Sequence, residues 1–170
     1  MVQTDNLELW DDGSLGRSDQ PGRGTNASAS ASHVTGRPNV PVTEEQIAAM
    51  VRRFYESAFA HEDLGPIFHK AIADWDGHLA KLTDFWSHFL LKTNRYQGRP
   101  FPFHLDLPIE PQHFDQWLAL FIIAADASLP PEAARRAKAR AAHMAEAFRT
   151  GLFPYVGANG EPSREPPKRP

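Results

Sequence analysis

The chain has 170 residues, of which 41% are hydrophobic, and its formal net charge is -3 at pH 7. This length and apolar fraction predict one folded domain with a core, and the small negative charge argues against nucleic acid or anionic lipid as a partner. The sequence has no cysteine, which excludes disulfides, iron–sulfur clusters and thiolate-bound metals. It has neither a membrane-length apolar run nor a signal-peptide pattern, so we expect a cytoplasmic protein without a membrane partner.

Both ends of the chain have compositions typical of disorder. Residues 1–40 consist largely of Asp, Ser, Gly, Asn and Ala, and residues 158–170 are rich in proline and charge. Such segments bury too little apolar surface to offset the entropy of ordering. We therefore predict a disordered tail at 1–40, a folded domain at 41–157 and a second disordered tail at 158–170.

The first helix is predicted to start after Pro41. Thr43 and Gln46 have the spacing of a capping box, in which each side chain bonds the backbone of the other residue. An apolar stripe at helical spacing follows, formed by Ile47, Val51, Phe54 and Ala58. Tyr55 lies on the inward side of this stripe and should be buried or face a pocket.

A second region of helix follows a break at residues 63–66. Phe68 ends a short apolar piece and is expected in the core. From about 74 to 93 the pattern is helical again, with Phe85 and Trp86 inward. Because His78, Leu82, Phe85 and Phe89 follow offsets of 0, 4, 7 and 11, His78 should lie on the same apolar stripe.

Residues 94–111 contain four prolines and one glycine, so this stretch fits only a turn or two of helix. His104 lies inside it. Pro111 is well placed to begin another helix with Phe114, Trp117 and Phe121 inward, and a last helix is predicted over 131–150, ending at Gly151. No run of period two is long enough for a sheet, so the fold class is all-α.

His104 is the candidate metal ligand. A histidine on a stiff turn between apolar residues suits haem iron, which needs one axial nitrogen, an apolar slot and an open sixth position. Taken singly, His104 is better explained as a loop residue capping a helix, and Tyr55 and Trp117 are better explained as core residues. The interpretation depends on finding these residues together.

In combination, the residues resemble the truncated haemoglobins, and within that family group III, over about residues 43–156. The positions that carry the resemblance are Phe54-Tyr55, residues 63–68, His78, Phe85-Trp86, residues 104–108 and Trp117. The resemblance implies a 2-on-2 globin, in which two antiparallel helix pairs sandwich haem b, with His104 as the proximal iron ligand. It implies Tyr55, His78 and Trp117 as distal residues, Phe68 near the porphyrin face, and Leu82, Phe85 and Trp86 along the slot.

Tyr55 and Trp117 would act as hydrogen-bond donors to dioxygen, whose outer atom becomes negative on a ferrous iron. Each donor would contribute on the order of 1 to 3 kcal/mol in a dry pocket, which predicts slow oxygen release. For His78 three roles stay open: bonding the ligand, gating its entry or binding iron. Arg99, just ahead of His104, is the candidate partner of a haem propionate.

Three classes of function remain at this point. The first is a haem protein that binds dioxygen or a similar diatomic ligand. The second is an enzyme at the same site, a nitric-oxide dioxygenase or a peroxidase, which would need an external reductase because the chain has no flavin-binding motif. The third is a haem-free helical interaction module. The basic run at 135–140 is best explained as a solvated helix face.

Overall fold

The computed structural model describes residues 40–166. The predicted tail at 1–40 therefore lies outside the described residues except for Val40, and so do residues 167–170. Within the described range the structure is dominated by helices, which confirms the all-α prediction. The helices are α1 Glu44–Ala60, α2 Leu64–Ala71, α3 Trp75–Leu91, a short 3₁₀ helix Phe101–His104, α4 Pro111–Ser128 and α5 Pro131–Leu152.

Local capping sets where the helices begin. The Gln46 amide donates to the Thr43 hydroxyl at 3.3 Å, and the Thr43 amide donates to the Gln46 side chain at 3.0 Å. Asp74 caps α3 by accepting from the Gly77 amide at 3.0 Å. Pro111 and Pro131 occupy first helical positions, where a missing amide hydrogen has no cost. The start of each of the three long helices predicted from a cap or a proline is confirmed.

Helix α1 is central to the packing, since it contacts α2, α3 and α4, while α4 also packs along α5. Gly65 allows the approach of α2 to α1, because a Cβ at this position would lie 2.5 Å from the carbonyl oxygen of Phe59. The main core is formed by apolar side chains from α1, α3, α4 and α5. A second cluster, formed by Phe114, Ala145, Phe148 and Leu152, lies beside it.

Helix α5 extends two residues beyond the predicted range of 131–150. Gly151 is helical, and the helix continues to Leu152, which is buried in the second cluster. The glycine has a packing role instead, because a Cβ there would lie 2.7 Å from the Phe101 ring. Tertiary packing therefore outweighs the tendency of glycine to end a helix.

A short antiparallel strand pair follows α5, where the sequence predicted neither a sheet nor, from residue 158, ordered structure. β1 (Tyr155–Val156) pairs with β2 (Pro162–Ser163), and Tyr155 lies opposite Ser163. Gly160, at a φ of 84°, lies in the connecting turn. Two-residue strands are too short to give a periodic sequence signal, which is why the pattern did not predict them.

No helix within residues 40–166 is long and apolar enough to cross a membrane. The basic run of α5 is engaged with its own surroundings: Arg135 pairs with Glu132, and Lys138 pairs with Asp126. Arg136 donates to the carbonyls of Phe89 and Leu90 at the end of α3.

Candidate haem site

His104 ends the 3₁₀ helix, in a segment that we call the His104 turn (residues 100–109). Its Nδ1 is 2.9 Å from the carbonyl oxygen of Pro100. Because a carbonyl can only accept, Nδ1 carries the proton and Nε2 keeps its lone pair, which is the nitrogen a metal would take. Burial lowers the pKa of His104, opposed by the carbonyls of Pro100 and Phe101, so the ring is neutral at pH 7.

The His104 turn rests on helix α5. The Phe148 ring lies edge-on to the imidazole of His104, with centroids 4.8 Å apart, and also contacts Phe101 at 5.3 Å. Phe101 in turn fits the space left by Gly151. The imidazole is therefore oriented by a backbone hydrogen bond and an aromatic wall. A backbone carbonyl of the proline-rich turn is the simplest partner for the second ring nitrogen of His104, and the structure identifies it as that of Pro100. The contact with Phe148 has no sequence signal, because Phe148 is 44 positions away in the chain.

Tyr55 of α1 and His78 of α3 form one hydrogen-bonded unit. The Tyr55 hydroxyl and His78 Nε2 are 2.9 Å apart, and Tyr55 is only 7% exposed. Burial raises the pKa of Tyr55 far above its usual value, so the phenol keeps its proton. Burial is also the main cause that lowers the pKa of His78, followed by charge repulsion from Lys81 and His104.

The influence of His104 on His78 is informative about their placement. A charge on His104 lowers the pKa of His78 only if the two rings lie within electrostatic range of each other. His78 and His104 come from different elements, α3 and the 3₁₀ helix, and are 26 positions apart in the sequence. The structure therefore brings the predicted proximal residue and one predicted distal residue to the same region.

Trp117 on α4 belongs to a row of stacked rings. Phe121 stacks on Trp117 with centroids 5.4 Å apart and an interplanar angle of 9°, and on Trp86 at 4.7 Å. Trp117 also contacts the edge of Phe54 at 5.4 Å, next to Tyr55 in α1. Its side chain is half-buried. The two predicted donors, Tyr55 and Trp117, thus share Phe54 as a neighbour.

The other predicted pocket residues occupy apolar positions around these donors. Phe68, expected in the core, is half-buried and meets the Tyr55 ring edge-on at 5.6 Å. Phe85 and Trp86 are buried, with their rings 5.2 Å apart. Leu82 is partly buried against the same core. These positions agree with an apolar slot, while the contact of each residue with a porphyrin stays a prediction.

Arg99 is exposed, and no ion pair or hydrogen bond ties it to another residue within the described range. Arg95, by contrast, is engaged by Glu44 and Asp84. Lys81 is a cationic residue that the sequence analysis did not name, although it acts on the pKa of His78. Its position three residues after His78 places it on the same helix face, which is the signal that would have found it.

Comparison with known proteins decides the family. Residues 42–150 match the family model described as bacterial-like globin. The chain is a globin. It is 37% identical, over 121 residues, to a group 3 truncated haemoglobin of Campylobacter jejuni, covering 68% of this chain and 95% of that protein.

Solved structures agree with this assignment. The globin superimposes on the crystal structure of a group III truncated haemoglobin from Campylobacter jejuni with a TM-score of 0.61 and 35% identity, covering 65% of this chain and 91% of that one. A truncated haemoglobin from Tetrahymena pyriformis, a Q46E mutant in the Fe(III) form, matches with a TM-score of 0.51 and 20% identity, covering 63% of this chain and 96% of that one. This second likeness shows the fold alone. The predicted family, including group III, is confirmed.

Globins of this family bind haem, and haem b is the typical cofactor of truncated haemoglobins, which confirms the predicted cofactor. The donor set of this chain fits that group. His104 offers one neutral imidazole with Nδ1 held by a carbonyl, as axial histidines require. No cluster of three or more His, Asp or Glu side chains that would hold a metal ion occurs among residues 40–166.

Proposed function

We propose that this globin binds dioxygen, or a similar diatomic ligand, at a haem held by His104, and that Tyr55 and Trp117 donate hydrogen bonds to the ligand and slow its release. When bound, haem supplies the iron that takes the diatomic ligand. Two observations carry the proposal: the Tyr55–His78 hydrogen bond and the hydrogen bond of the Pro100 carbonyl to His104 Nδ1, which leaves Nε2 for a metal.

On the proximal side, the Pro100 carbonyl fixes the tautomer of His104 and directs the Nε2 lone pair away from the backbone. A hydrogen bond from Nδ1–H also makes the imidazole a stronger ligand, since it transfers electron density to the ring. Phe148 restricts rotation of the ring. The histidine therefore binds iron without first breaking a competing contact at Nε2.

On the distal side, the tautomer of His78 decides what Tyr55 can do. A lowered pKa keeps His78 neutral at pH 7, so its Nε2 either donates to the phenol oxygen or accepts from it. When Nε2–H donates, the Tyr55 O–H is free to donate to the ligand, and the two bonds strengthen each other. His78 thus acts through Tyr55, which favours a secondary contact over direct iron binding.

Trp117 supplies the second donor. Its indole N–H can only donate, and within residues 40–166 it has no acceptor partner. Trp117 packs against Phe121 and against Phe54, whose ring also contacts Tyr55. A ligand held by both donors would dissociate slowly, because each bond must break before it leaves. Lys81 and Arg99 are the cations available for the propionates.

Haem titration of purified His104→Ala tests the proximal assignment. We expect the wild type to give a strong Soret band at one haem per chain, and the variant to lose the ferrous five-coordinate histidine spectrum and to bind haem more weakly by at least tenfold. His88→Ala is the matched control, since His88 Nδ1 also bonds a loop carbonyl, that of Thr93. Equal spectra for His104→Ala and wild type would contradict the proposal.

The same donors would also hold dioxygen for reaction with nitric oxide, the enzymatic alternative predicted from the sequence. Catalytic consumption of nitric oxide in the presence of an added reductase is the measurement that would favour it. That reaction needs an electron source outside the chain.

A further inference from the structure

We propose that Arg164 is a positioning residue for the proximal histidine. Its guanidinium binds the backbone that directly follows His104, and through it sets the orientation of the imidazole and the strength of its bond to iron. The inference rests on the proposed function, because it takes His104 as the iron ligand.

The contacts of Arg164 converge on one segment. Nη1 donates to the carbonyl of Leu105 at 2.8 Å, and Nη2 donates to those of Leu107 at 3.0 Å and Ile109 at 2.9 Å. Leu105 is the residue after His104, and the Leu107 amide reaches back to the His104 carbonyl at 3.4 Å. The His104 turn is therefore held at both ends, by Pro100 before the imidazole and by Arg164 after it.

The strand pair places Arg164 beside the His104 turn. The chain reverses direction between β1 and β2, which are antiparallel. In the connecting turn, the Gly157 amide donates to the Glu161 carbonyl at 2.8 Å. The guanidinium lies over the Phe153 ring at 5.2 Å. Phe153 packs against the second cluster, which contains Phe148, the ring that contacts His104. Arg164 is thus linked to the imidazole in two ways: by hydrogen bonds to the backbone that follows His104, and by the packing of Phe153 in the cluster that contains Phe148.

The chemistry of arginine suits this role. A planar guanidinium presents donors in a fixed fork, so it can hold several carbonyls in a defined arrangement, whereas an ammonium acts as a point charge. Carbonyls in a turn that lacks regular helix need such partners when they are partly buried. Arg164 also lies beyond residues 42–150, the range matched by the family model, so the contact is a feature of this chain's own carboxyl-terminal segment.

Resonance Raman spectra of the ferrous, ligand-free protein test the inference through the iron–histidine stretching vibration. We expect Arg164→Gln to shift and broaden this band, because a loosened turn lets the imidazole tilt, and to speed haem transfer to an acceptor globin by roughly five- to tenfold. Arg164→Lys should shift the band in the same direction by less, since it keeps the charge but cannot span the carbonyls.

Arg136→Gln is the matched control. Arg136 also donates to two backbone carbonyls, but at the end of α3, so its loss should lower stability and leave the iron–histidine band in place. An unchanged band in Arg164→Gln overturns the inference, and so does an equal shift in Arg136→Gln. His104→Ala separates the two proposals: if the band persists in that variant, the proposed function fails, whereas an unchanged band in Arg164→Gln with loss in His104→Ala refutes only the role of Arg164.

Discussion

The phenol of Tyr55 and the imidazole of His78 are joined by a hydrogen bond of 2.9 Å across 23 positions of sequence. This bond links α1 to α3 at the side of the core where Phe54, Phe68 and Trp75 surround the Tyr55 ring. Neither side chain is charged at pH 7, because burial raises the pKa of Tyr55 and lowers that of His78. Tyr55 and His78 therefore form a neutral pair that can pass a hydrogen bond on to a third atom.

Tyr55→Phe and Trp117→Phe should each speed oxygen dissociation about tenfold, because each removes one donor worth on the order of 1.4 kcal/mol. Stopped-flow release of oxygen from the ferrous protein measures the effect. Tyr96→Phe is the control, since it makes the same chemical change at a half-buried phenol beside Phe85. If the rate of oxygen dissociation rises by less than about threefold in both variants, Tyr55 and Trp117 do not act as donors to the ligand.

The pKa of His78 predicts a pH dependence of stability. Because its folded-state pKa lies below the usual value of 6.5, the unfolded chain takes up the proton first as the pH falls. The free energy of unfolding should therefore decrease as the pH drops below about 6.5. The contribution of His78 to this decrease ends once the pH is below its folded-state pKa. Urea unfolding of wild type and His78→Gln between pH 7.5 and 5.0 measures this difference.

His78→Gln should reduce that dependence without abolishing it, since burial also lowers the pKa of His104, which is still present. His88→Gln, at an exposed position of the same helix, should keep the wild-type slope. Parallel curves for wild type and His78→Gln would show that His78 does not titrate differently in the folded and unfolded states.

Gly65→Ala should destabilise the fold by roughly 1 to 3 kcal/mol, because the added methyl would meet the Phe59 carbonyl oxygen at 2.5 Å and force α2 away from α1. Thermal unfolding of the haem-loaded protein measures the loss. Ala119→Ser, at an exposed position of α4, is the control and should stay within about 0.5 kcal/mol of wild type. Wild-type stability in Gly65→Ala would mean that the two helices can separate at no cost.

The helices and most of the inward-facing residues could be predicted from the sequence because their signals are local. Thr43 with Gln46, Pro111 and Pro131 mark helix starts within a few residues. The apolar stripe of α1 follows from spacing alone. His104 could be identified as the candidate ligand from the proline-bounded turn around it. The family of the protein could be recognised from a set of residues rather than from any single one.

The rest depends on contacts between distant parts of the chain. Nothing near Gly151 indicates that it makes room for Phe101 rather than ending the helix. The segment around Arg164 has the composition of a tail, yet it binds carbonyls 55 to 59 positions earlier in the chain. Backbone carbonyls carry no residue-specific signal. The sequence therefore could not predict this contact, and it could not identify which carbonyl of the proline-rich turn holds His104.

The row of rings formed by Trp86, Phe121 and Trp117 limits the orientational freedom of the indole donor. Phe121 is 1% exposed and lies between the two tryptophans, so Trp117 cannot swing without displacing the centre of the core. The direction of its N–H is therefore set by the packing of the core. If Trp117 donates to the ligand, as proposed, little ordering entropy is lost on binding, and the site favours ligands whose acceptor atom lies along the direction of the indole N–H.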